Sequence, residues 1–319
     1  MDLLDIKGLT THFFTRSGVI KAVDDLSLVL QKGRVLGLVG ESGCGKTVTA
    51  LSILNLVPYP GKIISGKIFF DGRDLLALSA DEMRSIRGAR ISMIFQEPMT
   101  ALNPVFTVGN QIAEVLTAHQ NVTRKEAVKS AVDLLRSVGI PSPEKRVNEY
   151  PHQLSGGMRQ RVMIAMAIAC KPSLILADEP TTALDVTIQA HILELLGTIQ
   201  REMGMAMILV THDLGLIAER AHEVAVMYAG RIVEQAGTKE LFANPQHPYT
   251  RGLMASIPKP GEEGHKRLRT IAGTVPRLYD LPKGCTFVPR CDIKTGKCEN
   301  DPELVEVKPG HLVRCWEAR

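Results

Sequence analysis

The chain has 319 residues, 45% hydrophobic and 23% charged, with a formal net charge of +4. That is enough for one large core plus an appendage, and a mild positive balance without a long Lys/Arg block neither demands nor excludes nucleic acid; no nucleic-acid partner is expected. No apolar run approaches the about 20 residues that span a bilayer, and Met1-Asp2-Leu3-Leu4-Asp5 lacks the basic start of a secretory signal. A soluble, cytosolic chain is expected unless a partner holds it.

Residues from about 2 to 35 predict a β-rich portion with short strands such as Leu26–Leu30, closed by the turn Gln31-Lys32-Gly33. The apolar run Leu36-Gly37-Leu38-Val39 predicts a strand. It leads straight into Gly40-Glu41-Ser42-Gly43-Cys44-Gly45-Lys46-Thr47 and a helix-like segment, Val48–Leu56. A G-x-x-x-x-G-K-[ST] pattern between strand and helix predicts a phosphate loop, where glycines turn successive N–H groups toward an anion at a helix N-terminus. A chance Gly-rich turn is the bland alternative, and the flanking strand and helix weigh against it. Lys46 is then expected to reach the β- and γ-phosphates of a nucleoside triphosphate, and the Thr47 hydroxyl to join Mg²⁺.

Ile91–Phe95 predicts another strand, ending at Gln96. A helical insert follows, with Val108, Ile112, Val115 and Leu116 at helical spacing. Thr123-x-x-Glu126 reads as a capping box before Val128, Ala131, Leu134, Leu135 and Val138, and Gly139 as the stop. In Leu154-Ser155-Gly156-Gly157-Met158-Arg159-Gln160-Arg161, before the apolar stretch Val162–Ala169, two glycines bare a helix N-terminus and Ser155 adds a hydroxyl. This predicts a second anion site. Leu174-Ile175-Leu176-Ala177-Asp178-Glu179-Pro180 reads as a strand buried on both faces. Asp178 at its end would hold Mg²⁺ through water, and Glu179 would polarise the attacking water. Thr187–Met203, apolar at Ile188, Ile192, Leu195, Leu196 and Ile199, reads as a core-packing helix, and His212 follows the strand Met207–Val210.

One γ-phosphate cannot use both anion sites of a single chain, so two subunits are implied. The segment Leu154–Arg161, with Gln153 before it, closely resembles the signature motif of ABC ATPases. Gln96 matches that family's Q-loop glutamine, Thr182-Ala183-Leu184-Asp185 its D-loop and His212 its switch histidine. By resemblance, residues 1–240 form an ABC cassette of α/β P-loop NTPase class, with a RecA-like core, an N-terminal antiparallel β portion and a helical subdomain over about 97–155. The family also places an aromatic on adenine before the first full strand; Phe14 or Phe13 would fill that place, and a buried core Phe is the alternative.

Residues 241–319 hold nine of the eighteen prolines and four of the six cysteines. His247-Pro248-Tyr249-Thr250 and the run Glu97-Pro98-Met99-Thr100-Ala101-Leu102-Asn103-Pro104 resemble ATPase subunits of oligopeptide and dipeptide importers. Cys44 is expected to point away from nucleotide, and Cys170 to be a small buried residue. Cys285, Cys291, Cys298 and Cys315 stand in a tail with little apolar mass, separated by gaps of five, six and sixteen residues. A cytosolic chain should not rely on disulfides. Structural zinc usually brings closer pairs, whereas an iron–sulfur cluster takes four thiolates at varied spacing. The importer resemblance implies a [4Fe–4S] cluster; zinc and four unrelated free thiols are the alternatives.

The resemblance further implies an ATPase that powers uptake of di- or oligopeptides. Two facing cassettes would close on ATP, one giving Lys46, Thr47, Gln96, Asp178, Glu179 and His212, the other Ser155, Gly156 and Gly157. Partners would be two transmembrane permease subunits, a paralogous ATPase forming a heterodimer and, indirectly, an extracytoplasmic solute-binding protein, at the cytoplasmic face of the membrane. Peptide, nickel complex and other solutes are not separable from these residues. A cytosolic ABC ATPase with an iron–sulfur or zinc module, acting on ribosomes or DNA, is the rival reading.

Overall fold

The computed structural model describes residues 2–182, 184–256 and 271–318. In chain order the elements are strands β1 (Asp2–Thr15), β2 (Gly18–Gln31) and β3 (Val35–Val39), helix α1 (Lys46–Ile53), then β4 (Gly61–Phe70) and β5 (Arg73–Asp74). Next come α2 (Ala80–Ile86), β6 (Ile91–Ile94), α3 (Pro98–Ala101), α4 (Val108–His119), α5 (Arg124–Ser137) and α6 (Pro143–Arg146). They are followed by α7 (Gly156–Ile168), β7 (Leu174–Asp178), α8 (Val186–Met203), β8 (Ala206–Thr211) and α9 (Leu214–Arg220). The rest is β9 (Glu223–Tyr228), β10 (Arg231–Gly237), α10 (Thr238–Ala243), α11 (Pro248–Ala255), β11 (Val305–Lys308) and β12 (His311–Val313). The chain divides into two compact units, one of Gln31–Arg34 and Ala77–Ile208, the other of Asp2–Leu30, Val35–Leu76 and Leu209–Arg319.

In the first unit β6 and β7 pair in parallel, Ile91 against Leu174 through Ile94 against Ala177. Both strands are fully buried, which is why they read as continuous apolar runs. The helical insert forms α3 to α6. Thr123 and Glu126 make the expected capping box of α5, and Gly139 past its end takes φ +73°. On α8, Asp185 caps the start by accepting the Ile188 N–H, and Gly204 in the left-handed region ends it. The Gln200 side chain donates to the Gly33 and Met205 carbonyls, satisfying backbone oxygens around that end.

In the second unit β1 and β2 are fourteen residues each, longer than the short strands the sequence suggests, and β1 pairs antiparallel with β4. Their polar residues alternate with buried ones, as a sheet with one covered face requires. A second set of strands runs β11-β12-β10-β9-β3, with β3 and β9 parallel and the remainder antiparallel. The C-terminal segment is anchored here through buried polar groups rather than a large apolar core. Glu234 on β10, fully buried, accepts the Gln246 and His247 N–H groups at 2.6 and 2.9 Å and pairs with His311 Nε2 at 2.8 Å. Arg231 adds ion pairs to Asp24 and Asp301. Tyr228, Tyr249, His247 and Phe287 form an aromatic cluster.

Candidate functional site

The phosphate loop follows the fully buried β3. Gly40 (φ +156°) and Gly45 (φ +107°) are fixed by backbone contact. A Cβ would fall 2.2 Å from the Met227 carbonyl at the first and 2.1 Å from the Ala22 carbonyl at the second. Helix α1 begins at Lys46, two residues before its expected start, with Gly45 as N-cap; no side chain caps its first turn and no acid lies in it. Its positive end is thus left to an external anion. Lys46 is buried and donates to the Gly40 and Glu41 carbonyls at 2.8 and 3.0 Å, so a cation is already held against the loop. Thr47 and Ser42 are exposed, and Cys44 is fully buried, its thiol pushed up by burial. Thr11 on β1 hydrogen-bonds Ser52 on α1 at 2.9 Å. Further along β1, Phe13 lies opposite Gly61, where a Cβ would strike its ring, while Phe14 is half exposed. Packing therefore absorbs Phe13 and leaves Phe14 open to a planar ligand. His212, exposed, follows β8, and Asp213 caps α9 by accepting the Leu216 N–H at 3.1 Å.

In the other unit β6 ends at Ile94, and Phe95 is already exposed rather than a strand residue. Gln96 donates from Nε2 to Glu179 Oε2 at 2.9 Å, and the Thr182 hydroxyl donates to the same oxygen at 3.0 Å. Glu179 has φ +43°. A non-glycine residue there carries strain of the kind that clusters at functional sites. Asp178, just before it, is buried at the end of β7. The D-loop match gives Thr182 no role; its place three residues past Glu179 lets its hydroxyl take this one. Ala183, in the same motif, lies outside the described residues.

The signature segment is itself the start of α7, with Gly156 and Gly157 at the helix N-terminus where the sequence put them, and the helix runs on through the apolar stretch from Val162. The Ser155 hydroxyl accepts the Met158 N–H at 3.3 Å as N-cap, and Gln153 Oε1 accepts the Tyr150 N–H at 2.8 Å. Gly156 opens the helix. Gly157 has a packing reason as well: a Cβ would come 2.9 Å from the Ile188 side chain on α8.

Cys285, Cys291, Cys298 and Cys315 are all free thiols in one electrostatic neighbourhood. Burial first, then the neighbouring thiols, push the Cys285 pKa up to about 11. Cys291 and Cys315 also shift upward, burial again leading. Metal ligands are thiolates, and among the described residues no group of three or more His, Cys, Asp or Glu could hold a metal ion. The expected four-cysteine set thus gathers without closing into a ligand shell. No described helix is long and apolar enough to cross a membrane.

The ABC transporter family matches residues 23–182, and the C-terminal region of oligopeptide/dipeptide transporters matches residues 233–298. The chain belongs to the ATP-binding subunits of the oligopeptide/dipeptide ABC transporter family. It is 53% identical to the "Probable peptide ABC transporter ATP-binding protein y4tR" of Sinorhizobium fredii, over 99% of this chain and 95% of that one. It is 48% identical to the dipeptide transport ATP-binding protein DppD of Escherichia coli, over 99% and 96%. Among solved structures, a dimeric post-hydrolysis state of the ATP-binding cassette MJ0796 bound to ADP and Pi is 28% identical. It has a TM-score of 0.67, over 74% of this chain and 98% of that one. The fold is therefore the α/β P-loop cassette and the activity ATP hydrolysis. These relatives give no support to the rival ribosome- or DNA-directed reading.

Proposed function

We propose that this chain hydrolyses ATP to drive peptide uptake through a membrane importer, from the cytoplasmic face, with a cassette over residues 1–240 and an extension over 241–319. The observation that carries the catalytic assignment is Glu179. One carboxylate oxygen receives both Gln96 and Thr182 at the end of a buried strand. That holds the group in one rotamer, as a residue that positions an attacking water must be held. Lys46 and the N–H groups of residues 42–48 take the phosphates, Phe14 stacks on adenine, and Glu179 orients the water, with His212 beside the departing γ-phosphate. Mg²⁺ supplies charge neutralisation when bound, and Thr47, Gln96 and Asp178 would hold it. Ser155, Gly156 and Gly157 serve the ATP of a second cassette, here a paralogous subunit; two permeases and a solute-binding protein complete the assembly. Peptide cargo is supported by the names of the full-length relatives and by the match of the extension. A [4Fe–4S] cluster in the extension, with zinc the alternative, is supported by the importer resemblance of these four cysteines and not by their arrangement. Anaerobically prepared protein should then hold about four irons per chain, and finding neither metal would leave four free thiols.

Proteoliposomes carrying the chain with its co-purified permeases and paralogue should take up a labelled dipeptide when ATP is supplied. Glu179→Gln should keep Mg-ATP bound, trap the closed cassette pair on sizing chromatography and lower turnover by about 100-fold or more. Near-normal hydrolysis by that variant would move the water-positioning role elsewhere, with His212 the next candidate. Absence of ATP-dependent dipeptide uptake would remove the cargo assignment.

A further inference from the structure

Every polar group of Glu41, the second residue of the phosphate loop, is already committed. Its carbonyl accepts Lys46 Nζ at 3.0 Å. Its N–H donates to the Tyr249 hydroxyl at 2.9 Å. Its carboxylate receives the two-pronged guanidinium of Arg290, at 2.6 Å from one nitrogen and 3.0 Å from the other. Both partners come from the C-terminal extension, more than two hundred residues away in sequence.

Neither contact is a loose surface pairing. Tyr249 is fully buried, its ring 4.7 Å from that of Tyr228 and 5.6 Å from that of Phe287. Its N–H is accepted by His247 Nδ1 at 3.1 Å, the cap of α11. Burial drives the His247 pKa down to about 3, so the ring stays neutral and remains an acceptor at working pH. The Arg290 side chain is 2% exposed, donates from Nε to the Ala272 carbonyl at 3.0 Å and lies over the Tyr228 ring at 5.8 Å.

The consequence concerns nucleotide binding. Lys46 steadies the loop by spending two of its three N–H donors on the Gly40 and Glu41 carbonyls, which leaves one for a phosphate. Tyr249 and Arg290 hold the loop independently of Lys46, and a loop ordered beforehand spares the ligand that entropy. A carboxylate beside an anion site also repels the ligand unless a fixed cation neutralises it. We propose that Tyr249 and Arg290 are positioning residues for the phosphate loop, so that the C-terminal extension sets part of the chain's affinity for nucleotide. This rests on the reading of residues 40–47 as the triphosphate site.

The test is equilibrium binding of Mg-ATP and of a non-hydrolysable analogue to the intact chain, with steady-state kinetics and thermal unfolding alongside. Arg290→Ala should weaken binding about 10-fold and raise KM, with kcat at saturation little changed. Tyr249→Phe keeps the packed ring and loses the hydroxyl that accepts the Glu41 N–H, and should weaken binding about 3-fold. Adding Glu41→Gln to Arg290→Ala removes the uncompensated charge and should recover most of the affinity; a merely structural anchor would lower the unfolding temperature without that recovery. Arg290→Lys keeps the charge and loses the planar fork, so it should fold and fall between wild type and Ala. Wild-type affinity in both Tyr249→Phe and Arg290→Lys would overturn the proposal. Wild-type affinity in Lys46→Ala would instead overturn the reading of the site beneath it.

Discussion

Helices α1 and α7 both begin in glycine-containing turns and both suit an anion, yet they are built in opposite ways. The cap of α1 is Gly45 in the left-handed region, wedged against backbone, with no side chain bonding into the first turn. Its charge is the buried Lys46, resting on loop carbonyls. The cap of α7 is Ser155 in extended geometry, already accepting the Met158 N–H. The nearby Arg159 is spent on the Leu154 carbonyl at 2.7 Å. One end has no side-chain cap and is given a charge; the other has one first-turn N–H satisfied by Ser155 and keeps the hydroxyl proton and the N–H groups of Gly156 and Gly157 to offer. The first suits tight binding of a triphosphate. The second suits a weaker contact, made only when a ligand held elsewhere is brought to it.

The larger effect should follow at α1. Lys46→Ala removes the lysine charge of that end, and hydrogen bonds to charged groups are worth about 1.5–3 kcal/mol each. Nucleotide affinity measured by calorimetry should drop by about 30-fold or more, with the fold intact by circular dichroism. An equal loss of single-chain ATP affinity in a Ser155 variant would break the contrast, since Ser155 is assigned to the nucleotide of a second cassette.

What the sequence disclosed follows the same contrast. Local patterns showed themselves: the glycines and Lys46, the Thr123/Glu126 box, the continuous apolar strands ending at Asp178, and Gly139 as a stop. Each depends on neighbours within a few residues. The start of α1 slipped because a glycine at a helix N-terminus looks like loop until the backbone is seen. Contacts between distant residues stayed hidden. Nothing near Glu41 announces Arg290, and nothing near Gly157 announces Ile188, since both pairings are made by topology. The length of β1 and β2 was missed because half-buried strands carry polar residues at every other place, which reads as interruption. Polar anchoring of the extension by Glu234, His311 and Arg231 was missed for a related reason: buried charges leave no periodic trace.

The smaller effect, at α7, is the more exacting test. Ser155→Ala removes a cap, which costs about 1 kcal/mol of stability, and also removes the hydroxyl donor. Both losses could lower turnover, so the variant alone cannot say which matters. Ser155→Asp separates them. Aspartate caps a helix as well as serine does, and its charge favours the positive end of α7. It has no proton to give a phosphate and adds repulsion. Thermal unfolding of Ser155→Asp should therefore return to wild type or above while ATP-driven pairing and hydrolysis in the assembled complex stay at least about 10-fold down. Recovery of hydrolysis along with stability would mean that Ser155 only holds the helix together, and the open-and-closed contrast between the two ends would lose its functional half.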